Sequence, residues 1–385
     1  MSWIEASLGD LISYIGKGIA PKYTEDASSP NSVLVLGQKC VRNQKIDYSQ
    51  GRYHDKELKV IKPAKIAAKG DILINATGVG SAGRIAQIIH NPQRECVTDG
   101  HVITLRASSR INPYYLGYFI KSKQTVIEQL AEGSTGQTEM NRSRLQNEIL
   151  VTFPESDEDQ RRIAEFGLVI DKKIAQNAKL NGYLLELAST IFKTWFMNDD
   201  ARYSTNKVAI SEIAVINAGG DKPNVCQKTP SNKCPVPVYS NGTDNEGLYG
   251  YTSMAKVTEP SVTVSARGTI GFTCLRHQPY YPIVRLISAT PKEGITVEYL
   301  YLWLRNKMIT GVGTTQQQLT VPMFKKYEID VPSARNLTKF TEIVRPLFNA
   351  IAANKTENTE LVELRNALLP KLMSGEIDVS KIDLT

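Results

Sequence analysis

Ile163-Ala-Glu-Phe-Gly-Leu-Val-Ile-Asp-Lys-Lys-Ile-Ala-Gln-Asn177 aligns without a gap with Phe340-Thr-Glu-Ile-Val-Arg-Pro-Leu-Phe-Asn-Ala-Ile-Ala-Ala-Asn354, 177 residues later. The match continues, with Leu184, Leu187 and Ile191 falling on Leu361, Leu364 and Leu368. In the first copy Ile163, Phe166, Ile170, Ile174, Asn177, Leu184, Leu187, Ile191 and Trp195 recur at spacings of three, four and seven. In the second copy Phe340, Ile343, Leu347, Ile351, Asn354, Leu361, Leu364, Leu368 and Leu372 do the same. That is the apolar stripe of a coiled-coil-type helix. Two stripes of equal length in one chain most simply pack on each other. Pro346 and Pro370 are expected to kink or locally break the second helix. Asn177 and Asn354 are polar residues on these seams. They either fix register by pairing with another Asn or sit exposed at the seam edge.

The duplication extends upstream. Ser134-Thr-Gly-Gln-Thr-Glu-Met-Asn-Arg resembles Gly313-Thr-Thr-Gln-Gln-Gln-Leu-Thr-Val, and short strands ending in Pro154 and Pro332 follow. Lys69-Gly-Asp-Ile-Leu-Ile-Asn-Ala-Thr-Gly matches Glu259-Pro-Ser-Val-Thr-Val-Ser-Ala-Arg-Gly as a strand feeding a glycine loop. Asn112-Pro-Tyr-Tyr-Leu and Val297-Glu-Tyr-Leu-Tyr open aromatic-rich short helices. The plan is therefore 1–154 globular, 155–200 helix, 201–335 globular, 336–385 helix and tail. Short β-branched runs, separated by Gly, Asn and Pro, predict β-rich globular segments. They include Ser32-Val-Leu-Val-Leu, Asp71-Ile-Leu-Ile, His101-Val-Ile-Thr-Leu, Val236-Pro-Val-Tyr, Ser261-Val-Thr-Val and Ile283-Val-Arg-Leu-Ile.

The chain has 385 residues, enough for two or three domains, and its 41% hydrophobic content suits packed cores. No apolar run reaches the ~18–20 residues of a membrane helix. Met1-Ser-Trp-Ile-Glu-Ala lacks the pattern of a signal peptide, so a cytoplasmic location is expected. The five cysteines (Cys40, Cys96, Cys226, Cys234 and Cys274) are odd in number and form no C-x2-C pair, and the four histidines are scattered. Reduced thiols are expected, with neither a zinc site nor a disulfide framework. The formal charge is +7. Residues 1–154 hold +5 and 201–335 hold +6, against −3 and −1 in the helical segments. A positive excess confined to the globular segments is the footprint of a nucleic-acid binder.

Two motifs suggest catalysis and fail on context. Gly78-Val-Gly-Ser-Ala-Gly83 matches a dinucleotide loop, but Pro92 arrives before a long helix can follow. A tight glycine turn between two strands is expected instead. Asn112-Pro-Tyr-Tyr115 departs from the N-P-P-Y motif of adenine methyltransferases at its third position, and reads as a helix start with core aromatics.

With this plan in hand, Leu361-Val-Glu-Leu-Arg-Asn-Ala-Leu-Leu-Pro-Lys-Leu-Met-Ser-Gly-Glu-Ile-Asp-Val379 resembles the end of a type I restriction–modification specificity subunit. Gly70-Asp-Ile-Leu-Ile with Thr77-Gly-Val-Gly-Ser-Ala-Gly-Arg84, Tyr239-Ser-Asn-Gly with Gly247-Leu-Tyr-Gly-Tyr251, and Gln160-Arg-Arg-Ile with Phe192 agree. The resemblance covers essentially the whole chain. It implies an α+β protein with two β-rich target recognition domains. These are joined by two long antiparallel helices forming a coiled coil, in a pseudo-two-fold internal repeat. It also implies a non-catalytic chain that binds double-stranded DNA at a bipartite, asymmetric site. Two modification (methyltransferase) subunits are expected as partners for adenine methylation, with restriction (translocase/nuclease) subunits as further ones. No cofactor is expected in this chain, S-adenosylmethionine belonging to the methyltransferase subunit. The competing classes are a catalytic methyltransferase or nuclease with a fused recognition domain, and a scaffold without a DNA role.

DNA contacts are expected from loops. In the first segment they are Lys17, Lys22, Gln38, Lys39, Arg42, Thr77, Gly78, Ser81, Arg84, Gln137, Arg142 and Arg144. In the second they are Lys222, Asn241, Arg267, Thr269, Gln316, Gln317, Gln318 and Lys325. About half should touch DNA, the rest being solvated surface. Phe192, Phe196, Leu369 and Met373, off the helical seams, either dock a methyltransferase subunit or cap the globular units.

Overall fold

The computed structural model describes residues 2–132, 139–197, 205–307, 309 and 318–382. It divides into two compact units, 1–174 with 359–385, and 175–358. The boundaries fall inside the two long helices, Asp157–Phe196 and Ala334–Met373, so each unit owns a segment of both.

In the first unit Trp3–Ser7 pairs antiparallel with Leu150–Pro154, from Trp3 opposite Pro154 to Ser7 opposite Leu150. A four-stranded antiparallel sheet runs in the order Ile12–Lys17, Val102–Ala107, Ile72–Asn75, Ile85–Gln87. A second sheet holds Cys96–Thr98 parallel to Ser32–Leu36, then Arg52–Asp55 and Tyr23–Thr24 antiparallel. The Asn112 side chain caps the helix Pro113–Ser122 by accepting from Tyr114 N (3.0 Å) and Tyr115 N (3.1 Å), and Tyr115 is fully buried. Asn-Pro therefore starts a helix here, as Asn at the cap and Pro at the first position favour.

The second unit repeats the frame. Thr205–Ala209 pairs with Glu328–Pro332 over the same length of register. A four-stranded antiparallel sheet follows the order Ala214–Ala218, Ile287–Pro291, Ser261–Val264, Thr273–Arg276. A smaller sheet holds Leu248–Thr252, Val236–Tyr239 and Tyr281–Pro282. Ile283-Val-Arg-Leu-Ile is not the strand its composition predicts. Val284 and Arg285 form a turn, and the strand begins at Ile287.

Within each unit the two helix segments run antiparallel. In the first, Ile163, Phe166, Ile170 and Ile174 join a core with Leu372 and Val379, and Arg365 pairs with Asp171. In the second, Asn177 Nδ2 donates to Asn358 Oδ1 (3.0 Å) and Glu357 Oε2 (2.7 Å), and Asn354 Nδ2 donates to Asn181 Oδ1 (2.8 Å). Asn177 and Asn354 thus each find an Asn across the seam, though not each other. Leu187, Ile343 and Leu364 depart from the stripe, being about half exposed. Pro346 and Pro370 do not break the C-terminal helix. Both are exposed, and so are Glu342 and Asn366, four residues earlier, whose carbonyls lose their partners and can turn to water.

Phe192, Phe196, Leu369 and Met373 are not partner-facing. Phe192 and Phe196 stack with Tyr299 and Phe340 at centroid distances of 5.1–6.0 Å in the second core. Leu369 and Met373 lie in the first core. Each sits where its own globular unit closes over a helix, so burial inside the chain claims it. Among the described residues no helix is long and apolar enough to cross a membrane.

Candidate nucleic-acid interface

Residues 76–84 connect strands Ile72–Asn75 and Ile85–Gln87. Asn75 N donates to Arg84 O and Gly83 N to Asn75 O, both at 2.9 Å, which closes the hairpin base. Gly78, Gly80 and Gly83 have φ of +99°, +69° and +84°, the left-handed region that glycine enters without strain. The glycine motif is thus a hairpin, with a strand and no long helix behind it. At its tip Val79 is 76% exposed. Gln38 Nε2 donates to Thr77 Oγ1 (2.7 Å), and Thr77 Oγ1 lies 3.0 Å from His101 Nδ1. The Ala76 carbonyl accepts from Met140 N (2.7 Å), which docks the start of the helix Arg142–Glu148 beside the hairpin. Lys17 pairs with Glu139 on the same face, and this ammonium holds the Glu139 carboxyl below the ordinary range.

The second unit builds this face again. Ser265 N donates to Phe272 O and Gly271 N to Ser265 O, both at 2.9 Å. Gly268 and Gly271 are left-handed at φ +68° and +83°. Leu319 N donates to Ala266 O (3.0 Å), as Met140 does to Ala76. Thr320 caps the following short helix as Asn141 caps its counterpart. The scaffolding hydrogen bonds coincide while the side chains differ. Thr77 corresponds to Arg267, Glu139 to Gln318, Lys17 to Ala218 and His101 to Arg285. Arg267 Nη2 donates to Gln318 Oε1 at 3.3 Å.

Lys17, Gln38, Thr77, Gly78, Ser81 and Arg142 gather on the first face, and Arg267, Thr269 and Gln318 on the second. Arg84 folds back onto Gly80 O (2.7 Å). Lys22, Lys39, Arg42 and Lys325 are exposed, and Lys222 joins Lys228 over the Tyr249 ring. Two of the expected residues are engaged within the chain. Arg144 is bound to Glu132 and Glu148, so it ties a strand to a helix. Asn241 uses both ends of its carboxamide inside the chain, accepting from Ala266 N and donating to Val284 O at 2.7 Å each. It positions the hairpin. Gln137, Gln316 and Gln317 lie outside the described residues.

Four further basic residues, not singled out from the sequence, lie beside these faces. Lys59, Lys62 and Lys65 line the first unit beside Lys17. Lys65 Nζ donates to Lys17 O (2.8 Å) and Gly18 O (2.6 Å), and Lys59 Nζ to Ala20 O (3.0 Å). Burial, then Lys62, Lys59 and Arg142, lowers the Lys65 ammonium from its ordinary value. The signal was present as a lysine at every third position from Lys56 to Lys65. Arg285 was hidden inside an apparent strand.

Three of the five thiols, Cys40, Cys96 and Cys274, are poorly suited to nucleophilic chemistry. Burial pushes Cys40 and Cys274 up to about 11 and Cys96 up to about 12, the reverse of an activated nucleophile. Among the described residues no three His, Cys, Asp or Glu side chains converge as metal ligands would.

The sequence profile of the type I restriction modification DNA specificity domain matches residues 2–184 and again 204–363. The chain is 23% identical over 466 aligned positions to the type I restriction enzyme HindI specificity subunit of Haemophilus influenzae, covering 97% of this chain and 99% of that one. A stretch of 174 residues is 34% identical to a candidate type I specificity subunit of Mycoplasma pneumoniae, 45% of this chain and 49% of that protein's length. The crystal structure of a type I restriction-modification S subunit from M. genitalium superposes with a TM-score of 0.57 at 18% identity, covering 97% and 96% of the two chains, and shares the fold. Two matches to one domain profile, falling on the two copies of one hairpin-centred face, identify the chain as a member of the type I restriction–modification DNA specificity family, a non-catalytic DNA-recognition subunit.

Proposed function

We propose that each unit reads one half of a bipartite, asymmetric double-stranded DNA site in the cytoplasm. The chain thereby positions two modification subunits for adenine methylation, with restriction subunits joining the same assembly. The observation that carries this is the duplicated face. Matching backbone hydrogen bonds close the hairpins and dock the helix starts that present Thr77 and Glu139 in one unit and Arg267 and Gln318 in the other, and matching turn closures, Val102 N to Asp99 O and Leu286 N to Ile283 O, hold His101 and Arg285 beside them. One scaffold with two side-chain sets suits two different half-sites. The lysines around Lys17 would contact phosphates and supply affinity without sequence choice. Arg, Gln and Asn on the hairpins would contact base edges.

S-adenosylmethionine would be held by the modification subunits. For their docking we assign an exposed stripe of the central helix, Leu180, Tyr183 and Leu187, each 46–56% exposed at helical spacing. This replaces the buried aromatics favoured from sequence. Co-expression with the methyltransferase subunits, followed by mapping of methylated adenines, tests the reading. The expected result is one asymmetric motif of two short half-sites around an unread gap. A palindromic motif, or no motif, overturns it.

A further inference from the structure

Ile283-Val-Arg-Leu286 is a turn closed by Leu286 N donating to Ile283 O at 3.0 Å. Val284 has φ +52° and Arg285 φ +60°. Two successive left-handed residues make a type I′ turn, whose usual occupants are Asn and Gly. The other such pairs among the described residues, Asn43–Gln44 and Asn245–Glu246, begin with Asn and are ordinary. A β-branched residue there is an outlier, because its Cβ crowds the backbone carbonyl. Burial gives no compensation, since Val284 is 48% exposed and Arg285 is exposed.

The surroundings impose the conformation. Val284 N donates to Gly220 O (2.8 Å), Arg285 N to Gly219 O (2.9 Å), and Asn241 Nδ2 to Val284 O (2.7 Å). Gly219 permits this approach, since a Cβ there would lie 2.6 Å from the Pro282 carbonyl carbon. Asn241 also grips Ala266, so the turn and the Arg267 hairpin form one piece. A strained conformation that carries two exposed side chains, braced against the candidate interface, is where strain serves function.

We propose that Val284 and Arg285 are specificity-determining residues of the second unit. Arg285 addresses a guanine edge through its guanidinium fork, and Val284 packs on a neighbouring thymine methyl. This rests on the half-site reading above. The corresponding residues of the first unit are Gly100 and His101, so the two half-sites are read with different chemistry at this place.

The test uses the full chain in complex with its methyltransferase subunits. Methylation is measured on duplexes carrying every single base-pair change in the motif mapped for the unaltered complex. Arg285→Lys keeps the charge and loses the fork. It should lower discrimination at one G·C position by about 5- to 150-fold, with the other half-site and the salt dependence unchanged. Val284→Gly should relax an adjacent position while raising the melting temperature, an opposition that a merely structural residue would not give. Unchanged base-by-base profiles overturn the proposal. So does a uniform loss at all positions with a shallower salt dependence, which marks a phosphate contact. A fall in melting temperature for Val284→Gly overturns the strain argument. An unaltered complex with no preferred site overturns the half-site reading, and this proposal with it.

Discussion

Lys121 lies 7% exposed on the helix Pro113–Ser122, its ammonium 4.8 Å from the Tyr118 ring centroid. Nearby, Asp171 accepts from Tyr118 Oη at 2.7 Å and pairs with Arg365, so it is satisfied without Lys121. Burial lowers the Lys121 ammonium to about 8, against the attraction of Asp171. A cation whose pKa is lower folded than unfolded penalises folding wherever it must be charged. The penalty is full below about 8 and fades as pH rises towards the unfolded value near 10.4. Lys121→Met should therefore stabilise the first unit at pH 7 by about 1–3 kcal/mol. The gain should shrink between pH 8 and 10. Denaturant melts of both proteins across that window measure it, and a pH-independent difference would contradict the burial argument. The buried thiols act oppositely at high pH, but they are common to both proteins and cancel in the comparison.

At the scale of elements, the central helix contains a glycine that it does not need. Gly182 lies in the second unit, and a Cβ there would meet nothing within 4 Å. Gly182→Ala should stabilise by about 0.5–1 kcal/mol, since alanine loses less backbone freedom on folding. Calorimetry should show the second unit melting about 1–4 °C higher. The helices were legible in the sequence because their apolar period is sustained over forty residues. The frame was legible because caps and strand-ending prolines are local signals. What was misread lacked such a signal. Ile283-Val-Arg-Leu-Ile has a strand's composition, and bonds to distant residues, donated to the Gly219 and Gly220 carbonyls and accepted from Asn241, hold it as a turn. Phe192 and Phe196 look spare on a helical wheel because the aromatic helix Val297–Asn306 that covers them lies a hundred residues away. The lysines from Lys59 to Lys65 occupy a connection with no apolar rhythm, where spacing of charge was the only clue.

At the scale of the whole chain, the proposed recognition surface is distributed between two compact units, each with its own core. The positive charge is distributed likewise, +5 in residues 1–154 and +6 in 201–335. Substitutions at well-separated sites without shared partners add in free energy to within about 0.3–0.5 kcal/mol. Arg142 belongs to the first face and Arg267 to the second, so each should act on its own half-site. Arg142→Ala should weaken methylation with effects confined to the first half-site or to overall affinity, and Arg267→Ala with effects confined to the second. The free-energy cost of the double substitution should equal the sum of the single costs. Rates on the mapped site and on half-site variants, at fixed salt, provide the measurement, because phosphate contacts make any single affinity salt-dependent. A coupling well above about 0.5 kcal/mol would mean that one half-site is read only after the other has been engaged. Additivity would mean that each face can acquire a new target without disturbing the other, which is what a duplicated scaffold with divergent side chains allows.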